Sequence, residues 1–130
     1  MKFNTKVIHG GQTTDPAYGA VMPPIYQTST YAQTTPGGHK GYGYSRIHNP
    51  TRSALENALA SIENGTHGLA FGSGLAAIDA VIKLLKPDDE VISTNDLYGG
   101  THRLFTKIFE GFGMPFGIHL EQLLDTGGIF

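Results

Sequence analysis

The sequence predicts an α/β protein in which a long N-terminal arm precedes a mostly parallel sheet with covering helices. From Asn49 onward, segments with helical spacing alternate with short apolar segments, which is the order that parallel strands with crossover helices require. Before that point, prolines and glycine pairs are expected to break any regular element. They are Pro16, Pro23, Pro24, Pro36, Gly10-Gly11 and Gly37-Gly38.

The arm is expected to lie against another body. A loop-rich stretch of this length is unusual inside a compact domain, and its apolar and aromatic residues between positions 21 and 31 need a surface to cover them. We therefore assign residues 1–48 to an extended arm between subunits. Residues 49–130 are assigned to the beginning of an α/β domain, with an atypical tail at 111–130.

The first helix has its start and stop signals in the sequence. Asn49 is a good N-cap and Pro50 suits the first helical position, while Ser53 and Glu56 offer an alternative capping box. Asn64-Gly65 is a typical helix end.

The remaining elements alternate along the chain. Two or three parallel strands leave sheet edges and faces without partners, so we expect the chain to be the front part of a longer protein. The predicted elements are a strand at 69–71, a helix at 75–85 ended by Pro87, a strand at 90–94, a helix around 104–109, a possible strand at 116–118 and an amphipathic piece at 119–124.

Composition excludes several classes of function. The 130 residues are 39% hydrophobic and 15% charged with a net charge of −2 and no basic run, which argues against disorder and against nucleic-acid binding. No cysteine is present, so no disulfide or thiolate metal site is expected. The six histidines have no paired ligand spacing, and no metal is predicted. Without an apolar leader or membrane-spanning run, the sequence predicts a cytoplasmic protein without membrane contact.

The Gly72-Ser73-Gly74 turn is a candidate anion site. It joins a predicted strand to a predicted helix, where unpaired N–H groups and the helix dipole favour an anion and the missing Cβ atoms allow close approach. The alternative is a tight turn that uses glycine for backbone reasons only.

Two further stretches carry candidate ligand contacts. Tyr98, followed by two glycines after the next strand, can stack on a flat ligand or simply pack at a sheet edge. Arg46 and Tyr44 precede the first helix; they suit a phosphate, although a solvated arginine beside surface tyrosines is the alternative.

Taken together, these stretches resemble the cystathionine γ-synthase family of pyridoxal-phosphate enzymes, which includes cystathionine β- and γ-lyases and methionine γ-lyase. The resemblance covers about residues 5–109. It is carried by residues 5–12, Pro23-Pro24-Ile25, Tyr44-Ser45-Arg46, Asn49-Pro50-Thr51, Ser73-Gly74-Leu75-Ala76-Ala77 and Tyr98-Gly99-Gly100-Thr101.

The resemblance implies a fold, a cofactor and a site. The fold would be the start of the large domain of a type I aminotransferase-like enzyme, and the cofactor pyridoxal 5'-phosphate. Gly74 and Leu75, with Ser73 nearby, would cradle its phosphate, and Tyr98 would stack on its ring. Two further roles are implied: a phosphate contact from a neighbouring subunit by Tyr44 and Arg46, and a place near the substrate for Arg103.

The resemblance also implies what this chain lacks. In the family, the Schiff-base lysine, the aspartate at the pyridine nitrogen and the arginine for the substrate carboxylate lie beyond residue 130, so no lysine here is assigned that role. The implied enzyme is a homo-oligomer, a dimer of dimers, that acts on a sulfur amino acid or an O-acyl homoserine by β- or γ-elimination or replacement. The alternatives are an inactive fragment without the lysine and an unrelated anion-binding α/β module.

Three departures from the family pattern stand out. Leu75 replaces a methionine, which matters little if only its N–H is used. Asp88 replaces a turn glycine, which is costly if the turn needs a positive φ. The pattern is expected to end after about Gly111.

Overall fold

The computed structural model describes residues 1–94 and 96–118. Contacts within the chain form two units, Met1–Ala70 and Phe71–Phe130. The first unit therefore includes the arm and the first long helix. The predicted boundary between residues 48 and 49 concerns the intact protein and stays a prediction.

The arm begins with a helix that the sequence analysis did not predict. Helix α1 spans Phe3–His9 and packs on helix α2, Pro50–Ile62. Its C-terminal half is tied down by Lys6, whose Nζ donates to Asn64 Oδ1 at 2.5 Å. The prediction that no regular element forms in the arm is wrong here, because α1 precedes the first proline and packs against α2.

Gly10 and Gly11 follow α1 where the chain passes close to α2. A methyl carbon on Gly11 would lie 2.1 Å from the carbonyl oxygen of Asn57, and φ of Gly11 is +69°. On Gly10 it would lie 2.6 Å from Ser61 Oγ. Only glycine fits this approach, so the pair fixes how closely the arm meets α2.

Both ends of α2 follow the predicted signals. The Asn49 side chain accepts from the Thr51 N–H at 2.8 Å, with Pro50 at the first helical position. At the other end, Asn64 adopts φ +56°, and the Gly65 N–H donates to the Ala60 carbonyl at 2.8 Å, as in a Schellman motif. The prediction of helix boundaries is confirmed, with Asn49 as the cap.

The strand predicted at 69–71 is not present. The Ala70 N–H donates to the Glu56 carboxylate at 2.9 Å rather than to a neighbouring strand, and the Leu69 side chain is 77% exposed. The segment is therefore held to α2 by a side chain, and the capping box that would have used Glu56 does not form.

In the second unit, helices and short strands alternate as predicted. The pair β1–β2 is parallel, with Val91 opposite Phe116 and Ser93 opposite Ile118. Residues 119–124 lie outside the described residues. The elements are α3, Gly74–Ile82; β1, Val91–Ser93; α4, Gly99–Leu104, continued by a π-helical turn at Phe105–Phe109 and a 3-10 turn at Glu110–Phe112; and β2, Phe116–Ile118.

The core of the second unit lies between α3, β1 and the end of α4. Partly buried Ile78, Leu85, Val91, Leu97 and Leu104 surround a buried cluster. Its members are Ile82, Phe105, Phe109 and Met114. This packing holds α3 against α4 and so positions the starts of both helices.

Gly11 and Gly19 form a matched pair for testing the close approach of the arm to α2. Both have nearly the same positive φ, +69° and +70°, but nothing lies within 4 Å of a methyl group on Gly19. Gly11→Ala should lower the free energy of unfolding by about 1–3 kcal/mol more than Gly19→Ala, because only Gly11→Ala forces α2 to move. Urea unfolding of the complete protein measures the difference, and equal losses would contradict the contact.

Asp88 allows a test of the turn that leads into β1. Its φ is +77°, and its N–H donates to the Gly113 carbonyl at 3.0 Å. Asp88→Gly should be more stable than Asp88→Ala by about 1 kcal/mol, because alanine pays the steric cost of the left-handed conformation. Thermal or urea unfolding of the two variants checks this, and an alanine variant as stable as the glycine variant would rule out the left-handed turn.

Candidate functional site

The start of α3 presents two backbone donors that the helix does not use. The first bond of the helix runs from the Ala77 N–H to the Ser73 carbonyl at 3.2 Å, so Gly74 and Leu75 precede any intrahelical acceptor. The Ala76 N–H is occupied, because it donates to Ser73 Oγ at 3.2 Å. The N–H groups of Gly74 and Leu75 are therefore left for a ligand.

The surroundings of this helix start suit an anion. Nothing lies within 4 Å of a methyl group placed on Gly72 or Gly74, so the backbone is open to close approach. Ser73 accepts one hydrogen bond through its oxygen and keeps its hydroxyl proton for another acceptor. The positive end of the helix dipole adds to the attraction.

Tyr98 stands at the start of α4 with its ring largely in solvent. It is the N-cap residue, and its carbonyl accepts from the Thr101 N–H at 2.8 Å. Its side chain is 76% exposed, which does not fit a tyrosine packed at a sheet edge. A methyl carbon on Gly100 would lie 2.5 Å from Tyr98 Cε1, so the absence of a side chain at Gly100 allows this ring position.

Tyr44 and Arg46 form a pair in the first unit. The Arg46 guanidinium donates to the Tyr44 hydroxyl, and its central carbon lies 5.0 Å from the ring centroid, a cation–π geometry. Across residues 1–94 and 96–118, the ion pairs are Arg52–Glu56 and Lys83–Asp79. Arg46 thus keeps an exposed positive charge with no carboxylate partner in the described part of the chain.

The pair is held by the residues that begin α2. Ser45, between Tyr44 and Arg46, donates its N–H to the Ser29 carbonyl at 2.9 Å. Ser45 Oγ accepts from the Asn49 side-chain amide at 3.0 Å. The helix cap therefore also fixes the segment that presents the tyrosine and the arginine.

The predicted site residues fall into two groups. Those of the second unit lie at or near the starts of α3 and α4, which pack together; they are Ser73, Gly74, Leu75, Tyr98 and Arg103, the last an exposed residue within α4. Tyr44 and Arg46 lie in the first unit. A single site that includes both groups stays a prediction.

Sequence reasoning missed the polar residues that support the pair. Ser45 and Asn49 were identified only as part of a motif and as a helix cap, and Asp15 was not singled out at all. Asp15 is buried and lines a cavity of about 120 Å³ whose wall includes Pro50 and Ser53. An aspartate before proline indicates a turn, but nothing local indicates that its carboxylate is buried.

A second cavity lies beside Tyr44. It has a volume of about 290 Å³ and is lined by residues of the same segment, Gln33, His39, Gly41, Gly43, Tyr44, Ile47 and His48. In the described part of the chain, no group of three or more histidine, cysteine or acidic residues is arranged to hold a metal ion. The described helices also include none that is long and apolar enough to cross a bilayer.

Comparisons with known proteins identify similar sequences and structures. The chain is 54% identical over 106 residues to a cystathionine beta-lyase of Coxiella burnetii (strain RSA 493 / Nine Mile phase I), covering 82% of this chain and 27% of the relative. It is 50% identical over 114 residues to a probable cystathionine gamma-synthase of Herpetosiphon aurantiacus, covering 88% and 36%. A solved cystathionine gamma-lyase from Lactobacillus plantarum, complexed with L-serine, superposes with a TM-score of 0.82 at 42% identity, covering 99% of this chain and 34% of that structure.

These comparisons also show how much of the family sequence the chain contains. The chain spans about a third of the length of these relatives. The family model of Cys/Met metabolism PLP-dependent enzymes matches residues 4–122, so the family pattern continues past Gly111, where the sequence analysis placed its end. An unrelated anion-binding module is therefore excluded, and the chain belongs to the PLP-dependent enzymes of cysteine and methionine metabolism.

Proposed function

We propose that this chain supplies the phosphate-binding and ring-stacking part of an enzyme that breaks or exchanges a C–S or C–O bond in a sulfur amino acid or an O-acyl homoserine. The observation that carries the proposal is the start of α3. There the N–H groups of Gly74 and Leu75 are free of intrahelical bonds, and the Ser73 hydroxyl stands beside them. This donor set fits the dianionic phosphate of pyridoxal 5'-phosphate, the cofactor of the family.

The donors at α3 are fixed before a phosphate arrives. Gly74 and Leu75 belong to a capped helix, so their N–H groups keep their direction without the entropy loss of ordering a loop. The replacement of the family's methionine by Leu75 leaves this contact intact, since a backbone N–H is used. The Ser73 hydroxyl donates a further hydrogen bond to the anion, and the helix dipole adds to the attraction of the two backbone hydrogen bonds.

Tyr98 fits a pyridine ring as a stacking platform. Its ring is exposed, and Gly100 leaves room for it at the start of α4. Stacked aromatic rings contribute about 0.5–1.5 kcal/mol beyond their buried area. The phosphate contacts at α3 would fix one end of the cofactor, and Tyr98 would fix the plane of its ring.

We assign Tyr44 and Arg46 to the phosphate of a neighbouring protomer. The support for this is the exposed apolar surface of the arm, which includes Tyr18 at 95% exposure together with Val21, Met22 and Ile25. Exposed apolar groups in this number, on the same arm as an exposed arginine that has no carboxylate partner among the described residues, fit an arm that crosses a subunit interface. A homo-oligomeric assembly, a tetramer and a cytoplasmic location all stay predictions.

The bound cofactor supplies an electron sink that stabilises negative charge at the substrate Cα. The residues of this chain bind and orient: the start of α3 holds the phosphate, Tyr98 holds the ring, and Arg103 provides a positive charge near an anionic substrate. No lysine of this chain is assigned to the covalent attachment of the cofactor. That amine and the residues that choose between lyase and synthase chemistry are assigned to the rest of the enzyme.

The phosphate role of Arg46 can be tested with a graded pair of variants. In the complete protein, Arg46→Ala should weaken pyridoxal phosphate binding about tenfold to a hundredfold, because a charge-assisted hydrogen bond is lost. Arg46→Lys should lose less, since it keeps the charge but not the planar fork. Titration of the apoenzyme with the cofactor, followed by absorbance, measures the affinities.

Lys40→Ala is the matched control, because it removes one exposed positive charge from the same arm. Its cofactor affinity should equal that of the parent protein. If Arg46→Ala and Lys40→Ala have the same affinity as the parent, Arg46 does not contact the phosphate.

The proposed chemistry is tested by a side-by-side assay of the complete protein. With pyridoxal phosphate added, we expect turnover of at least one of cystathionine, methionine and O-succinylhomoserine, and loss of that turnover when the cofactor is removed. Product formation is followed as released thiol or ketoacid and, for O-succinylhomoserine supplied together with cysteine, as cystathionine. A folded, cofactor-loaded protein that converts none of the three would contradict the proposed substrate class.

A further inference from the structure

Asp15 is a buried carboxylate without a cationic partner in the described part of the chain. Its exposure is 6%, and neither of the ion pairs formed by the described residues includes it. A buried charge is costly unless hydrogen bonds compensate it. Two donors reach it: the Tyr18 N–H at 3.0 Å and the Tyr26 hydroxyl at 3.5 Å.

The chain closes a turn around this carboxylate. The Asp15 N–H donates to the Ala20 carbonyl at 2.9 Å, and the Gly19 N–H donates to the Asp15 carbonyl at 2.8 Å. Gly19 provides the positive φ, +70°, that the turn requires. The backbone hydrogen bonds of this turn therefore fix Asp15 in the arm, so the position of its carboxylate does not depend on the side-chain conformation alone.

Tyr26 connects the carboxylate to the start of α2. Its N–H donates to Thr51 Oγ1 at 2.8 Å, and its carbonyl accepts from the Asn49 side-chain amide at 3.1 Å. The same amide donates to Ser45 Oγ at 3.0 Å, the residue between the tyrosine and the arginine of the phosphate-binding pair. Hydrogen bonds made by the side chain and the backbone of Tyr26 thus connect Asp15 to the segment that presents Arg46.

The surroundings of Tyr26 shift the pKa of its hydroxyl. Burial raises the pKa of the Tyr26 hydroxyl above its ordinary value of 10.0, and the negative charge and hydrogen bond of Asp15 raise it further. The raised pKa means that the folded protein prefers the protonated phenol. This contribution to stability is present below pH 10 and is lost as the pH rises through the pKa of the folded state.

We infer that Asp15 is a positioning residue for the cofactor phosphate. It fixes Tyr26, and through Asn49 and Ser45 it holds the Tyr44–Arg46 pair in place for the phosphate. This inference rests on the proposed phosphate role of Arg46. It predicts that Asp15 affects cofactor binding without touching the cofactor.

A double-mutant cycle in the complete protein tests the inference. Asp15→Asn should weaken pyridoxal phosphate binding about threefold to tenfold, the loss expected for one hydrogen-bonded contact. In an Arg46→Ala background, the same substitution should have no further effect, because the group that it positions is absent. Asp89→Asn, which removes an exposed carboxylate, is the matched control and should leave the affinity unchanged.

The outcomes separate the two proposals. An unchanged affinity in Asp15→Asn, or a loss that is fully additive with that of Arg46→Ala, would overturn the positioning role while leaving Arg46 as a phosphate contact. An Arg46→Ala variant that binds the cofactor normally would instead overturn the phosphate role, and the inference with it.

Two further measurements keep the test valid if Asp15→Asn folds poorly. Tyr26→Phe removes only the hydroxyl that reaches Asp15 and should weaken cofactor binding in the same way. Alkaline titration of tyrosinate absorbance, with Tyr26→Phe used to identify the Tyr26 contribution, should show a lower pKa for Tyr26 in Asp15→Asn. A Tyr26 titration that does not respond to Asp15→Asn would remove the contact on which the inference depends.

Discussion

The proposed cofactor site depends on the direction of two backbone N–H groups. Gly74 and Leu75 point their donors out of the start of α3 because the first intrahelical bond belongs to Ala77 and because Ser73 caps Ala76. In the proposed site, a dianion here would receive two preformed hydrogen bonds and be attracted by the helix dipole. The packing of α3 on α4, with Phe105 and Phe109 in the core, keeps these donors in place.

The first unit holds a charged side chain at the surface in one conformation. An exposed arginine normally samples many rotamers, and ordering it costs free energy on binding. Here Arg46 packs on the Tyr44 ring, and the hydrogen bond between Asn49 and Ser45 holds the segment that carries them. The amide that caps α2 therefore also limits the freedom of the arm.

Local signals made the starts of α2 and α3 predictable. Asn49 caps α2 as predicted, and Ser73, in the turn before the predicted helix at 75–85, caps α3, because capping depends on side chains within a few residues of the helix start. The steric cost at Asp88 was likewise predicted, because Asp88 replaces a turn glycine of the family, and its φ is indeed positive. The candidate residues around α3 and α4 were also singled out from local sequence, because glycines lie beside them at the helix starts.

The features that sequence reasoning missed depend on contacts between distant residues. Helix α1 has no side-chain cap and forms where it can pack on α2. The segment 69–71 has strand-like residues, but Glu56 takes the N–H of Ala70. Asp15 reads as a turn residue, and its burial arises only when Tyr26 and the start of α2 come together. No short-range pattern encodes these contacts.

The most direct measurement is a crystal structure of the complete protein with pyridoxal 5'-phosphate bound. We expect phosphate oxygens within about 3 Å of the backbone nitrogens of Gly74 and Leu75, with the ring of Tyr98 stacked on the cofactor. A phosphate held elsewhere, with both of these N–H groups bonded to solvent or to other protein atoms, would contradict the proposed site.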